Sequence, residues 1–230
     1  MNASRLSIRA GLAAGLVAAA MAVSPAYSQG ARKEPAPPAG AQGVMTNATA
    51  KVEGFRSARF GMTEAEVKNA IAADFKIKGE GVREQPNAGE RTKALLVKVP
   101  DLLPGGGTAE VSYIFGYHTK KLIQVSVSWS KATDEKMTPE QLFSNSSVLR
   151  AHFMTEGFKP ESISSNMPIG GGLLIFRGSD AKDHTTMLIL QGTFAQGENN
   201  QRVLTPASLL LFYVEDAKAP DVYRLPPGSF

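Results

Sequence analysis

Apolar residues recur along this chain with two periods, and the switches between them mark its elements. In "FGMTEAEVKNAIAADF", Val67, Ala70, Ile71 and Phe75 fall at helical spacing. Thr63 stands just before the run as an N-cap, with Glu66 three residues on. The threonine hydroxyl can accept from the third amide and the carboxylate can reach back to the cap's own amide, which makes a capping box. Met62, one residue outside, is placed to staple onto Val67. The same devices return 75 residues later in "KMTPEQLFSNSSVLRAHFMTEG". Thr138 caps, Pro139 takes the favoured first helical position, Gln141 closes the box, and Met137 staples to Leu142. Leu142, Leu149 and Phe153 share a face, and Gly157 supplies the stop.

After each helix the period changes to two. "TKALLVKV", "TAEVSYIFGY" and "KLIQVSVSW" follow the first; "GLLIFRG", "TTMLILQG" and "ASLLLFYVE" follow the second. Val111, Tyr113, Phe115 and Tyr117 alternate on one side of a strand. Ile123, Val125, Val127 and Trp129 do so on the next, against Gln124, Ser126 and Ser128. One apolar and one polar face is the mark of a sheet covered on a single side. Short turns such as "PGGG" at Pro104 and "GSDAKDH" at Gly178 favour antiparallel meanders. The pattern therefore predicts an α+β protein of two tandem repeats. Each repeat is a capped helix followed by a three-stranded antiparallel meander, with the helix packed on one face of its own sheet. The expected boundaries are 53–131 for the first repeat and 132–217 for the second, with 218–230 as an extended tail that packs Val222, Tyr223 and Leu225 on the domain. At about this size one core is marginal, so the two repeats are expected to share an interface.

The N-terminus changes the picture of where the chain acts. "MNASRLSIR" is basic, an apolar run follows from Ala10 to Val23, Pro25 breaks it, and "AYS" offers small residues for cleavage after Ser28. This is the three-part pattern of a signal peptide over residues 1–28. Its apolar run reaches about 21 Å as a helix, short of a bilayer core of about 30 Å. Residues 29–52, rich in Pro, Gly and Ala, read as a flexible linker. Nothing further along approaches a membrane-spanning length, so the mature chain is expected to lack a transmembrane segment. Losing Arg5 and Arg9 takes the formal charge from +4 to about +2. No cluster of Lys and Arg points to nucleic acid. The chain has 0 cysteines, which excludes disulfides, thiol catalysis, thiolate metal sites and a lipidated-cysteine anchor. The expected compartment is the bacterial periplasm.

The residue types that carry chemistry are scattered. His118, His152 and His184 are far apart, and the one compact set of metal-ligand types, Asp180, Asp183 and His184, reads as an acid-rich solvated turn. Ser-x-x-Lys occurs at Ser128 and Ser179, but on strand ends and turns rather than at a helix start. The Gly runs at Gly105 and Gly170 precede strands and lack a following Lys-Ser/Thr. Glu215 and Asp216 are adjacent on a strand and point to opposite faces. No catalytic residue, metal ligand or cofactor site is expected. The aromatic residues Trp129, Tyr113 and Tyr117 are the candidates for binding, although Trp129 alternates inward and reads first as core.

Several stretches carry a resemblance. "FRSARFGMTEAEV" and "DLLPGGGTAEVSYIFGYHTKKLIQVSVSW" look like a family of uncharacterised exported proteins of alphaproteobacteria, over roughly residues 55 to 130. A Gly followed by Met-Thr-x-x-Glu-Val at a helix start, then three strands, resembles the small domain of the β-barrel assembly machinery's accessory lipoprotein. Two helix-plus-sheet units in tandem resemble the β-lactamase inhibitor protein. The chain departs from the lipoprotein in lacking an anchoring Cys and in carrying two units. These likenesses imply a protein-binding module rather than an enzyme. The expected function is non-enzymatic binding of an envelope protein through a sheet edge or the concave polar sheet face. A periplasmic hydrolase built from scattered Ser, His and Asp, or a carrier of a small ligand or lipid, stands as the alternative.

Overall fold

The computed structural model describes residues 49–196, 202–226 and 228–229. The expected signal peptide and residues 29–48 of the expected linker lie outside them. Residues 49–52 are not linker-like. The amides of Thr49 and Ala50 both donate to the Gly157 carbonyl, and Ala50 and Val52 are buried.

A short ribbon, β1 (Gly54–Phe55) and β2 (Ala58–Arg59), leads into α1 (Glu64–Phe75). The capping box is present: Thr63 Oγ1 accepts from the Glu66 amide at 3.3 Å and Glu66 Oε2 accepts from the Thr63 amide at 2.7 Å. A 3-10 turn (Gly79–Gly81) precedes β3 (Arg83–Asn87), β4 (Thr92–Val99), β5 (Ala109–Phe115) and β6 (Leu122–Ser130). Then α2 (Pro139–Thr155) opens with the second capping box, Thr138 with Gln141, and ends before Gly157, whose φ is +78°. After a second 3-10 turn (Pro160–Ser162) come β7 (Met167–Ile169), β8 (Gly172–Ser179), β9 (Thr185–Gln196) and β10 (Arg202–Val214). Among the described residues no helix is long and apolar enough to cross a membrane.

The expected two helix-plus-three-strand repeats are not what forms. Each helix is followed by four strands, and all eight join one antiparallel sheet in the order β3-β4-β5-β6-β10-β9-β8-β7. The two additional strands, β3 and β7, are the outermost ones. They are short and each carries a proline, Pro86 and Pro168, so neither shows the alternation that marks a half-buried strand. The sheet is continuous because β6 and β10 pair from Ser130↔Ser208 to Gln124↔Val214. Two separate meanders would each have ended in a long apolar edge strand, and pairing those edges with each other removes both.

The helices and the β1–β2 ribbon cover one side only. There Val67 and Ile71 of α1, Leu149 and Phe153 of α2, and Tyr113, Trp129, Leu190 and Leu211 of the sheet belong to one core. That core runs without a break across the β6–β10 pairing.

Candidate functional site: the bare sheet face and the cleft at its end

Alternation assigns the other face. On β6 the residues turned from the helices are Gln124, Ser126, Ser128 and Ser130. Across β5 they meet Ile114, Ser112 and Glu110, and across β10 they meet Val214, Phe212, Leu210 and Ser208. The centre is a strip of small polar groups. Beside it lie two apolar clusters built from the strands: Ala94, Leu96, Ile114 and Ile123 on one flank, and Leu174, Ile189, Phe212 and Val214 on the other. An ion pair of 2.8 Å between Arg83 of β3 and Glu110 of β5 spans β4. Among the described elements, neither helix contributes to these clusters.

At one end the face opens into a cleft of about 970 Å³. Its walls come from the start of β6, the end of β10 and the segment after it, the β8–β9 turn, and the chain from Lys159 to Ser164. Asp180 builds the turn. Only 3% exposed, it accepts from the amides of Val52 (2.9 Å), Lys182 (2.8 Å) and His184 (3.0 Å). It is a buried organiser rather than part of a solvated turn, since three backbone donors replace the water that a carboxylate would otherwise need. His184 Nδ1 donates to the Val52 carbonyl at 2.7 Å, which assigns the proton to Nδ1; Asp180 Oδ2 is 3.6 Å from the same nitrogen. Phe60 packs edge-on to the imidazole. Burial pushes the nearby Glu215 carboxyl up, against the opposing pull of His184. Asp183 is held by Lys159 at 2.6 Å, with Lys218 at 3.6 Å.

On the opposite wall the tail is fastened. Asp221 accepts from the amides of His118 and Thr119, both at 2.9 Å, from the Thr119 hydroxyl at 2.7 Å, and lies 2.9 Å from His118 Nδ1. Burial opposes ionisation there. The donated hydrogen bonds outweigh it and hold the carboxyl well below the usual aspartate range. Gly116 is required at this turn because a Cβ would strike the Asp221 carboxylate. The Tyr117 amide donates to the Asp221 carbonyl and the Tyr223 amide to the Glu90 carbonyl. Arg91 then stacks 3.7 Å above the Tyr223 ring. Leu225, expected to pack with the tail, is 56% exposed.

Of the three aromatic candidates, only Tyr117 is near this region. It is half-buried, with its ring centroid 5.5 Å from Tyr223 and 4.4 Å from His118. Tyr113 and Trp129 are wholly enclosed on the helix side, at 0% and 1% exposure. Of the residues that shape the cleft, Asp180 is marked in the sequence by its turn but reads as solvated, while Asp221, Gln124 and Arg177 give little notice. Asp221 sits beside Pro220 in the tail, and Arg177 is a lone cation inside the apolar run "LLIFRG". The histidines stay apart: His118 is on the tail clamp, His152 is 3.4 Å from Glu156 on α2, and His184 is in the cleft. Among the described residues no cluster of three metal-ligating side chains forms, and Ser179 bonds Thr185 rather than a lysine. No family model, no curated protein and no solved structure matches the chain.

Proposed function

We propose that this protein is a non-catalytic binding module of the bacterial envelope, exported to the periplasm, that holds another envelope protein against its helix-free sheet face. The observation that carries this reading is the asymmetry of the sheet. One side is sealed by both helices, while on the other, among the described residues, a serine-lined strip stands between two apolar flanks to which neither helix contributes. Side-chain contact on that face is favoured over strand addition at an edge. Each edge strand contains a proline that cannot donate to an incoming strand, and β7 is only 3 residues long. The cleft is bordered by many charged and hydroxyl-bearing side chains, which does not suit a lipid.

The test places a photoreactive amino acid at Ser128 or Leu210, both half-buried at the centre of the face, and at Ser147 on the outer side of α2. The expected result is one stoichiometric envelope protein crosslinked from the face positions and not from α2. Binding of that protein, once purified, is lost in Ser126→Arg. Crosslinking from α2 alone, or unchanged binding by a folded Ser126→Arg variant, overturns the reading. One observation favours a hydrolase instead: His184, held through Nδ1, shares the cleft with a Glu215 carboxyl that burial pushes up. Turnover in a substrate screen that disappears in His184→Ala would decide for it.

A further inference from the structure

Charged groups around the cleft are unevenly spent. Lys159 is engaged by Asp183. Asp216 accepts from the amides of Lys218 and Ala219, and Asp221 from the β5–β6 turn. Among the described residues, Lys121 and Lys182 at the rim and the carboxylates Glu161 and Glu215 have no ion-pair partner, and on the sheet face itself two further groups are unanswered. Arg177, half-buried on the bare face of β8, has no carboxylate within ion-pair distance of its guanidinium among the described residues. Gln124, 2% exposed on β6 and bordering the cleft, has an Nε2 with no hydrogen-bond partner. A buried amide donor left without a partner has lost its water without replacement, so an acceptor brought to it is bound with little desolvation to offset.

The two are set at opposite walls. Gln124 pairs with Val214, Val214 with Thr185, and Thr185 with Ser179. That is three strand spacings, about 14 Å. Arg177 lies two residues before Ser179 on the same face. An extended peptide advances about 3.3 Å per residue, so three or four residues bridge the walls once the side chains reach inward. A primary amide offers one donor and one acceptor edge, matching a peptide group; a guanidinium fork matches a carboxylate.

We infer that the cleft receives an extended acidic peptide segment of the partner, its carboxylate on Arg177 and a peptide group on Gln124. The inference rests on the face being the partner surface. The carboxylate can come from a Glu or Asp side chain or from a chain terminus, and the chemistry at Arg177 is the same for both.

The test titrates the isotopically labelled mature chain with three peptides: acetyl-Ala-Ala-Glu-Ala-amide, acetyl-Ala-Ala-Ala with a free terminal carboxylate, and neutral acetyl-Ala-Ala-Gln-Ala-amide. The expected result is that at least one carboxylate peptide shifts the Gln124 side-chain amide and the Arg177 guanidinium resonances at millimolar concentration, while the neutral peptide binds at least about tenfold more weakly. Whichever carboxylate peptide binds names the source. Arg177→Gln lowers its affinity about tenfold or more and removes the preference over the neutral peptide; Gln124→Leu weakens all three. Equal binding of the neutral peptide, no shift at either residue, or an unchanged preference in Arg177→Gln overturns the inference. If Gln124→Leu fails to fold, the resonance shifts in the unsubstituted chain and the Arg177→Gln result decide by themselves. A silent cleft with intact crosslinking from Ser128 removes only this inference, whereas loss of crosslinking as well removes the reading beneath it.

Discussion

Tyr113 and Trp129 look alike in a period-two pattern, and burial separates what each can do. Tyr113 is 0% exposed and its hydroxyl has no partner, so burial pushes the phenol up and the OH contributes desolvation without a bond. Tyr113→Phe is therefore expected to leave stability unchanged or raise it by about 1 kcal/mol in urea melts. A loss above about 2 kcal/mol would mean that the hydroxyl has an acceptor. Trp129→Ala removes a large side chain from the core and is expected to cost about 3–5 kcal/mol. Asp221 gives the pH dependence. Its folded-state carboxyl is depressed from an ordinary value of 3.8. The stabilisation it provides is thus complete above that value and is lost as the pH falls below it toward the folded-state one. Protection of the Tyr223 amide, its intrinsic exchange rate over the observed one at the same pH, should be high at neutral pH and fall in acid. Asp221→Asn should lower that protection at neutral pH and flatten its pH dependence. Unchanged protection in that variant would show that the tail is fastened by other contacts.

The helices were legible because their start signals are local: each threonine needs only the residue three positions on. Thr63→Ala and Thr138→Ala should each lower stability by about 1 kcal/mol, measured by chemical denaturation, since each leaves a first-turn amide without its acceptor. A loss in only one of them would mean that the two boxes are not equally stabilising. The central strands were legible for a similar reason, as large apolar residues of β5 and β6 that face the helices alternate in sequence with Glu110, Ser112, Gln124, Ser126 and Ser128. What escaped was the pairing. Nothing local tells β6 that its second neighbour is β10, more than 70 residues away, rather than solvent. The one trace is "SLLLFYV" in β10, where apolar residues stand on both faces and Leu209, Leu211, Phe212 and Val214 are all buried. The edge strands escaped through Pro86 and Pro168, and the cleft escaped because its parts come from five separate stretches of chain. Trp129, Tyr113 and Tyr117 share a sequence pattern but not a location. The aromatic signal reports the core at two of these positions and the tail clamp at the third.

Eight strands in one sheet change how the whole molecule should come apart. Two self-contained repeats would unfold in two steps whenever their stabilities differed. Here a single core spans the β6–β10 pairing, with Val125, Val127 and Trp129 from one strand against Leu209 and Leu211 from the other. Neither half can lose its packing without exposing the other's apolar strand to water, so cooperativity extends over the full sheet. Trp129 is the only tryptophan and is paired with Leu209 at this junction, which makes its fluorescence a local reporter of the seam. Far-UV circular dichroism reports all the strands together. The two urea transitions are expected to coincide in midpoint and slope. Leu211→Pro, which removes a backbone donor at the seam, should shift both together by about 3 kcal/mol or more. If instead the fluorescence change preceded the loss of strand signal, the seam would be the weak line. The halves would then be separable folding units, and the bare face that crosses the seam would not be held rigid for a partner.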